Sequence, residues 1–316
     1  MPQRGRPADL SKVKTYSIRK RQSKLDTSQL AKVPDVKASL GDFISTLPRT
    51  FKAEELLKIA EAILRASQRD RLIVWMMGAH PIKCGLSPIL IRMMEEKFIN
   101  VLALNGAGAI HDFELAFFGH TSEDVEKGLT NGSFGMARET GEGINQFIND
   151  GVKRGFGIGE SLGRGIFARA PRYVDYSLLA HGAAQHIPVT VHIAIGTDII
   201  HQHPSANGAA MGKGSMRDFQ LLAGQLPELN DGGVVVNCGS AVVLPEVFLK
   251  ALTVARNLGS TIKNFTAVNL DMIQHYRPNT NVLARPTKDG GKSYSITGHH
   301  EIILPLLYAA IQSLKS

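Results

Sequence analysis

Leu72-Ile73-Val74-Trp75-Met76-Met77-Gly78-Ala79-His80-Pro81-Ile82-Lys83-Cys84-Gly85 is the stretch that decides the fold. Six apolar residues in a row, with no polar alternation, are what a strand buried on both faces shows. The glycine-bounded segment behind it leads into residues 86–98 (LSPILIRMMEEKF), whose apolar side chains recur at helical spacing. A buried strand, a glycine loop and a helix make one unit of a parallel sheet.

Working outward, the same unit recurs. Residues 53–66 predict a helix, with acids near its start where the helix dipole favours them. Residues 101–104 and 189–195 predict strands, and 215–226 a helix. Strand 234–236, helix 245–257, strand 265–270, strand 292–296 and helix 302–314 complete the pattern. Strand–helix alternation over this length predicts an α/β fold, Rossmann-like, with a mostly parallel sheet and helices on both faces. There is no internal repeat.

The chain has 316 residues, 43% of them hydrophobic and 20% charged, a globular mixture that excludes wholesale disorder. Its formal net charge is +8, but residues 1–25 hold eight Lys and Arg against Asp9 alone. That tail carries +7, so the remainder is nearly neutral. The expected division is a basic, flexible tail over 1–25 and one domain over 26–316. No apolar run reaches the length of a membrane span, and the basic start has no apolar segment behind it as a secretory signal would. Its composition is shared with mitochondrial presequences, although two cysteines (Cys84 and Cys238) suit a reducing cytoplasm, the expected compartment. The tail lacks interleaved aromatics, so nucleic acid is not an expected partner. A membrane is not expected either.

In open α/β sheets ligands sit beyond the carboxyl ends of the strands, which directs attention to the loops there. Gly78 to Gly85 offers glycine, His80 and Lys83 ahead of a helix start, either a phosphate-type ligand loop or a plain turn. Asn105-Gly106-Ala107-Gly108 follows the next strand, but His111 stands where a full dinucleotide fingerprint has its third glycine. Asp112 reads as a cap of the helix that follows. His201-Gln202-His203 in an extended segment would point both rings to one side, as metal ligands or as hydrogen-bonded active-site histidines. No acid-rich or Cys-rich cluster completes a metal motif, so no metal is assigned. Residues 271–300, with Arg277, Lys288, Lys292, His299 and His300, read as a long functional loop or a solvated basic one.

Taken in order, these loops resemble deoxyhypusine synthase over roughly residues 50–312. That family implies a Rossmann-like NAD site and a tetramer with active sites between paired subunits. The activity implied is transfer of an aminobutyl group from spermidine, by NAD-dependent oxidation and an imine on a lysine. The resemblance places the cofactor loops on Gly78, His80 and Lys83, on Asn105, Gly106, Ala107 and Gly108, on Asp198, on Gly239, and on His299-His300. The polyamine side differs. The family's paired glutamates fall on Ile110 and His111, a further aspartate falls on His203, and the imine-forming lysine falls on Pro286. Lys288 and Lys292 are the nearest lysines that a shifted alignment would bring into play. Loss of the carboxylates implies a neutral or anionic small-molecule substrate in place of a tricationic one. His111 and His203 become candidate general bases. The resulting expectation is an NAD-dependent transferase or altered relative, forming a homo-oligomer. A non-catalytic nucleotide-binding protein and a His-metal hydrolase are the alternatives.

Overall fold

The computed structural model describes Gly5 and residues 7–315; Arg4 and Arg6 of the basic tail lie outside the described residues. From residue 9 to 30 the chain makes short 3-10 turns whose side chains are exposed except for the half-buried Gln29. The folded elements begin with α1 (Leu40–Thr46) and α2 (Phe51–Gln68), followed by β1 (Ile73–Met77). Next come α3 (His80–Lys83), α4 (Ser87–Glu95) and β2 (Val101–Asn105). A helical excursion comprises α5 (Gly106–Phe118), α6 (Val125–Asn131), α7 (Arg138–Lys153), α8 (Ile158–Arg169) and α9 (Leu178–Ala184). It leads to β3 (Val189–His192), α10 (Gly208–Gln225), β4 (Val234–Cys238), α11 (Val243–Asn257) and β5 (Thr266–Asp271). The chain closes with β6 (Lys292–Thr297) and α12 (His300–Ser313).

The sheet has six strands in the order β3-β2-β1-β4-β5-β6, every pair parallel. All five β1 side chains are buried, as the apolar run predicts. Strand geometry sends alternate residues to opposite faces. Ile73, Trp75 and Met77 enter the core under α2, α4, α5, α8 and α12, while Val74 and Met76 enter the one under α10 and α11. Trp75 has no exposure and donates its indole N–H to the Phe98 carbonyl at 3.1 Å. Truncating a buried Trp of this kind to Ala costs about 3–5 kcal/mol.

Register places Met77 beside Leu104 on one side and Cys238 on the other, so the carboxyl ends of β1, β2 and β4 are level. The order of strands reverses direction between β1 and β4. A crevice opens at such a switch, because the connections on either side leave in opposite directions.

Two buried carboxylates tie the helical layers to the sheet. Asp112, within α5, accepts from Ser177 Oγ at 2.6 Å and from the Leu178 and Leu179 N–H groups at 2.7 and 3.2 Å. It therefore caps the start of α9, a distant helix, and not the helix that follows it in sequence. Asp218 in α10 accepts through Oδ2 from Gly159 N–H at 2.9 Å and Val191 N–H at 2.8 Å, joining α8 to β3. Burial pushes their pKa values up to about 6 and about 7, against the lowering effect of the donors.

The segment after β5 departs from its reading as a loop over the ligand end. Residues 278–284 form a π-helical turn with Val282 and Leu283 buried against the α11 side, and the chain then returns to the amino edge of the sheet before β6. Among the described residues no helix is long and apolar enough to cross a membrane.

Candidate functional site at the carboxyl edge of the sheet

Gly78 and Gly239 follow β1 and β4 directly and face one another. A Cβ on Gly78 would stand 2.2 Å from the Gly239 carbonyl oxygen, well inside contact distance, so the crossing of these turns requires glycine. Gly239 has φ +68°, and a Cβ there would meet His300 Cε1 at 2.8 Å. His300 begins α12 yet is fully buried. Its Nε2 donates to the Leu270 carbonyl at 3.1 Å, and Nδ1 is left buried without a partner. Burial lowers its pKa, so the neutral ring is the favoured form. Behind the crevice Asn237 donates to Ser240 O at 3.0 Å and Asn269 Oδ1 at 2.8 Å, which fixes the β4 turn against β5.

At β2 the glycine-containing segment is the first turn of α5, not a free loop. Asn105 caps it, accepting from Gly108 N–H at 2.8 Å. A Cβ on Gly106 would lie 2.1 Å from Asp198 Oδ2, so the carboxylate of the β3 loop rests directly on this glycine. That oxygen is buried and unpartnered. His201 accepts at Nδ1 from the Gly196 and Asp198 N–H groups at 3.1 and 3.2 Å, which leaves the proton on Nε2. His201 Nε2 is likewise buried and unpartnered, 3.8 Å from Asp198 Oδ2. Burial raises the Asp198 pKa and lowers that of His201, each opposed by the charge of the other. Orphaned buried polar atoms cost free energy.

A cavity of ≈ 550 Å³ adjoins this turn, lined among others by Lys83, Ala107, His111, Glu114, Thr121 and Asp198. Within it Thr121 donates its hydroxyl to Glu114, and Thr140 donates to the other Glu114 oxygen at 2.9 Å. The Thr121 oxygen then accepts from His111 Nδ1 at 2.6 Å. This chain of donors fixes the His111 tautomer and leaves Nε2 as the unprotonated atom. Burial lowers the His111 pKa, with Glu114 opposing and Lys83 assisting. A neutral imidazole with a free Nε2 is a proton acceptor. Glu114 and Thr121 escaped the sequence reading. The signal for Glu114 was its position one helical turn beyond His111.

The structure draws Gly78, His80, Gly239 and His300 together at the β1 and β4 turns. It groups Lys83, Ala107, His111 and Asp198 around the cavity, with Gly106 against Asp198. Asn105 and Gly108 serve the helix cap. His299 is the exposed N-cap of α12, 3.8 Å from Glu301. His203 does not join the site. It is buried, its Nε2 lies 2.7 Å from the Gly135 carbonyl, and its ring packs on Gly141. Residues 199–202 form a 3-10 turn in place of the extended segment, so His201 and His203 have separate partners and do not converge. Lys288 and Lys292 fall at the wrong end of the sheet. Lys292 opens β6 opposite Thr266, the first residue of β5, and Lys288 is exposed just before it. Pro286, with its carbonyl 3.4 Å from Arg256 Nη2, is buried.

No model of a known protein family matches this sequence, and no curated protein does. Solved structures share its fold. ArgZ, an arginine dihydrolase of the ornithine-ammonia cycle in cyanobacteria, aligns with TM-score 0.52 and 16% identity, covering 83% of this chain and 33% of ArgZ. AgrE, in a ternary complex with ornithine and NAD+, aligns with TM-score 0.53 and 16% identity over 85% of this chain and 34% of AgrE. The chain thus spans about a third of either protein. A candidate deoxyhypusine synthase from Entamoeba histolytica aligns with TM-score 0.52 and 11% identity, over 89% of this chain and 95% of its own length. The fold is Rossmann-like α/β, shared with this candidate deoxyhypusine synthase.

Proposed function

We propose that this protein is an NAD-dependent enzyme. The dinucleotide would lie across the carboxyl ends of β1, β2 and β4, and a small neutral or anionic substrate in the cavity beside α5. The observation that carries the reading is glycine directly after three adjacent strands, Gly78 (β1) against Gly239 (β4) and Gly106 (β2) against Asp198, with unpartnered atoms of Asp198, His201 and His300 beside them. The NAD+ complex of AgrE, which has the same fold, supports the choice of dinucleotide.

Gly78 and Gly239 let the β1 and β4 turns cross closely, Asp198 would offer an acceptor, and the first turn of α5 would offer N–H groups. Bound NAD would supply a hydride acceptor. His111 Nε2 would take the substrate proton, and Glu114 through Thr121 would hold the imidazole in place. Lys83 would favour a negative group on the substrate. Lys288 and Lys292 have no part, so oxidation without imine transfer is the reaction proposed.

Calorimetric titration of the full chain with NADH tests the binding. Saturable binding that is lost in Gly106→Val and weakened in Asp198→Ala is expected; unchanged affinity in both variants would overturn it. Reduction of NAD+ with a panel of small hydroxy and amino acids then separates an enzyme from a binding protein.

A further inference from the structure

We propose that His80, Cys84 and Glu301 form a three-ligand site for a zinc-type divalent cation at the rim of the crevice. His80 opens α3 and Cys84 caps it, so the two stand one helical turn apart on the same face. Glu301 lies in the first turn of α12. Nitrogen, sulfur and carboxylate oxygen all lie within 4.8 Å of one another. Among the described residues no other three His, Cys, Asp or Glu side chains bring their ligand atoms together in this way.

The spacing suits a small cation. His80 Nε2 and Cys84 Sγ are 3.2 Å apart. Around tetrahedral zinc, with bonds of about 2.0 Å to nitrogen and about 2.3 Å to sulfur, those atoms stand about 3.5 Å apart. Seating a cation therefore requires the pair to open by a few tenths of an ångström. A neutral imidazole, a thiolate and a carboxylate carry two negative charges, which a dication balances. Borderline N, S and O donors select zinc over magnesium or calcium, and three protein ligands leave a position for water or a substrate oxygen. The rim location places that position near the crevice, since the His80 and His300 rings are 5.3 Å apart.

A cysteine nucleophile is the competing use of the same residues. It needs a thiolate, yet burial and the neighbouring Glu301 push the Cys84 thiol up, and Lys83 opposes them only weakly. A cation reverses that balance. On binding, the Sγ–H bond breaks, an Sγ–metal bond forms and the proton passes to solvent, so affinity falls as pH falls. The proposal does not depend on the dinucleotide reading.

The test is titration of the chelator-treated full chain with Co2+, followed by displacement with Zn2+. The sequence holds two cysteines, and Cys238 has no exposure, so a thiolate-to-cobalt charge-transfer band reports Cys84. The expected result is one equivalent per chain with that band, removed by Zn2+ and absent in Cys84→Ser. Glu301 is exposed, and Glu301→Gln should keep the circular dichroism of the wild type while weakening Co2+ binding about tenfold or more. Absence of saturable binding, a band that survives in Cys84→Ser, or wild-type affinity in Glu301→Gln would overturn the site. NADH titration of the same metal-free protein reports the dinucleotide reading separately.

Discussion

The two edges of one sheet differ in what they leave unsatisfied. At the amino edge, Lys292, Lys58 and Arg65 stand in solvent, and Lys58 and Arg65 pair with Glu54 and Glu61 on the exposed face of α2. Such pairs contribute little, because water already satisfies both partners. At the carboxyl edge, polar atoms of Asp198, His201 and His300 are buried without partners. Both edges carry charge, but only one stores unmet hydrogen-bonding capacity in an enclosed place. Charge alone is thus a poor guide to a site.

The largest effect expected is from Gly106→Val. Its side chain would occupy the place of the Asp198 carboxylate, and NADH affinity should fall at least about a hundredfold, equivalent to about 2.7 kcal/mol, in a calorimetric titration. Retained affinity would break the distinction between the two edges.

Asp218→Asn tests a buried carboxylate outside the candidate site, with one oxygen partnered and one not. Asp218 Oδ2 accepts two N–H groups, and its other oxygen has no partner, so an amide can mimic the protonated acid there. The folded pKa, about 7, lies well above the ordinary carboxylate range. Stability from this group is therefore full below the unfolded pKa and lost as pH rises through the folded one. His192, buried and lowered to about 4, acts in the opposite direction, so the difference between variant and wild type isolates Asp218. The variant should match the wild type near pH 4 and exceed it at pH 8 by at most a few kcal/mol. Thermal melts across that range measure it.

Asp198→Ala removes one acceptor and should weaken NADH about tenfold, near 1.4 kcal/mol. The smallest effect belongs to the amino edge. Lys288→Ala and Lys292→Ala should leave NADH affinity unchanged and stability within about 0.5 kcal/mol. Borohydride with an amine and NAD+ should label neither lysine, as peptide mapping by mass spectrometry would show.

Much of the fold was legible because parallel strands are buried on both faces. The run at 72–77 needed no context, and its five-residue strand lies within it. β4 runs past its apolar core because Asn237 continues the ladder, its side-chain N–H donated to Asn269 Oδ1 on the next strand. No local pattern announces such a pair. Gly106 and Gly108 suggested a loop, but the Asn105 cap pays their helical cost. The site was legible where residues lie next to strand ends, as Gly78 and Gly239 do. It failed for His203, whose loop turns where an extended chain was expected. It failed again for Lys288 and Lys292, since a π-helical turn and a return to the amino edge carry them away from the ligand end. Long-range meetings, such as Cys84 with Glu301, have no local signature at all.

Hydrogen–deuterium exchange of the full chain with and without NADH tests the difference between the edges most directly. Binding at the β1–β4 switch predicts slowed exchange at residues 78–83, 105–109, 196–201 and 237–241, with no change at 286–293. Protection confined to the amino edge, or none at either edge under saturating NADH, would contradict it.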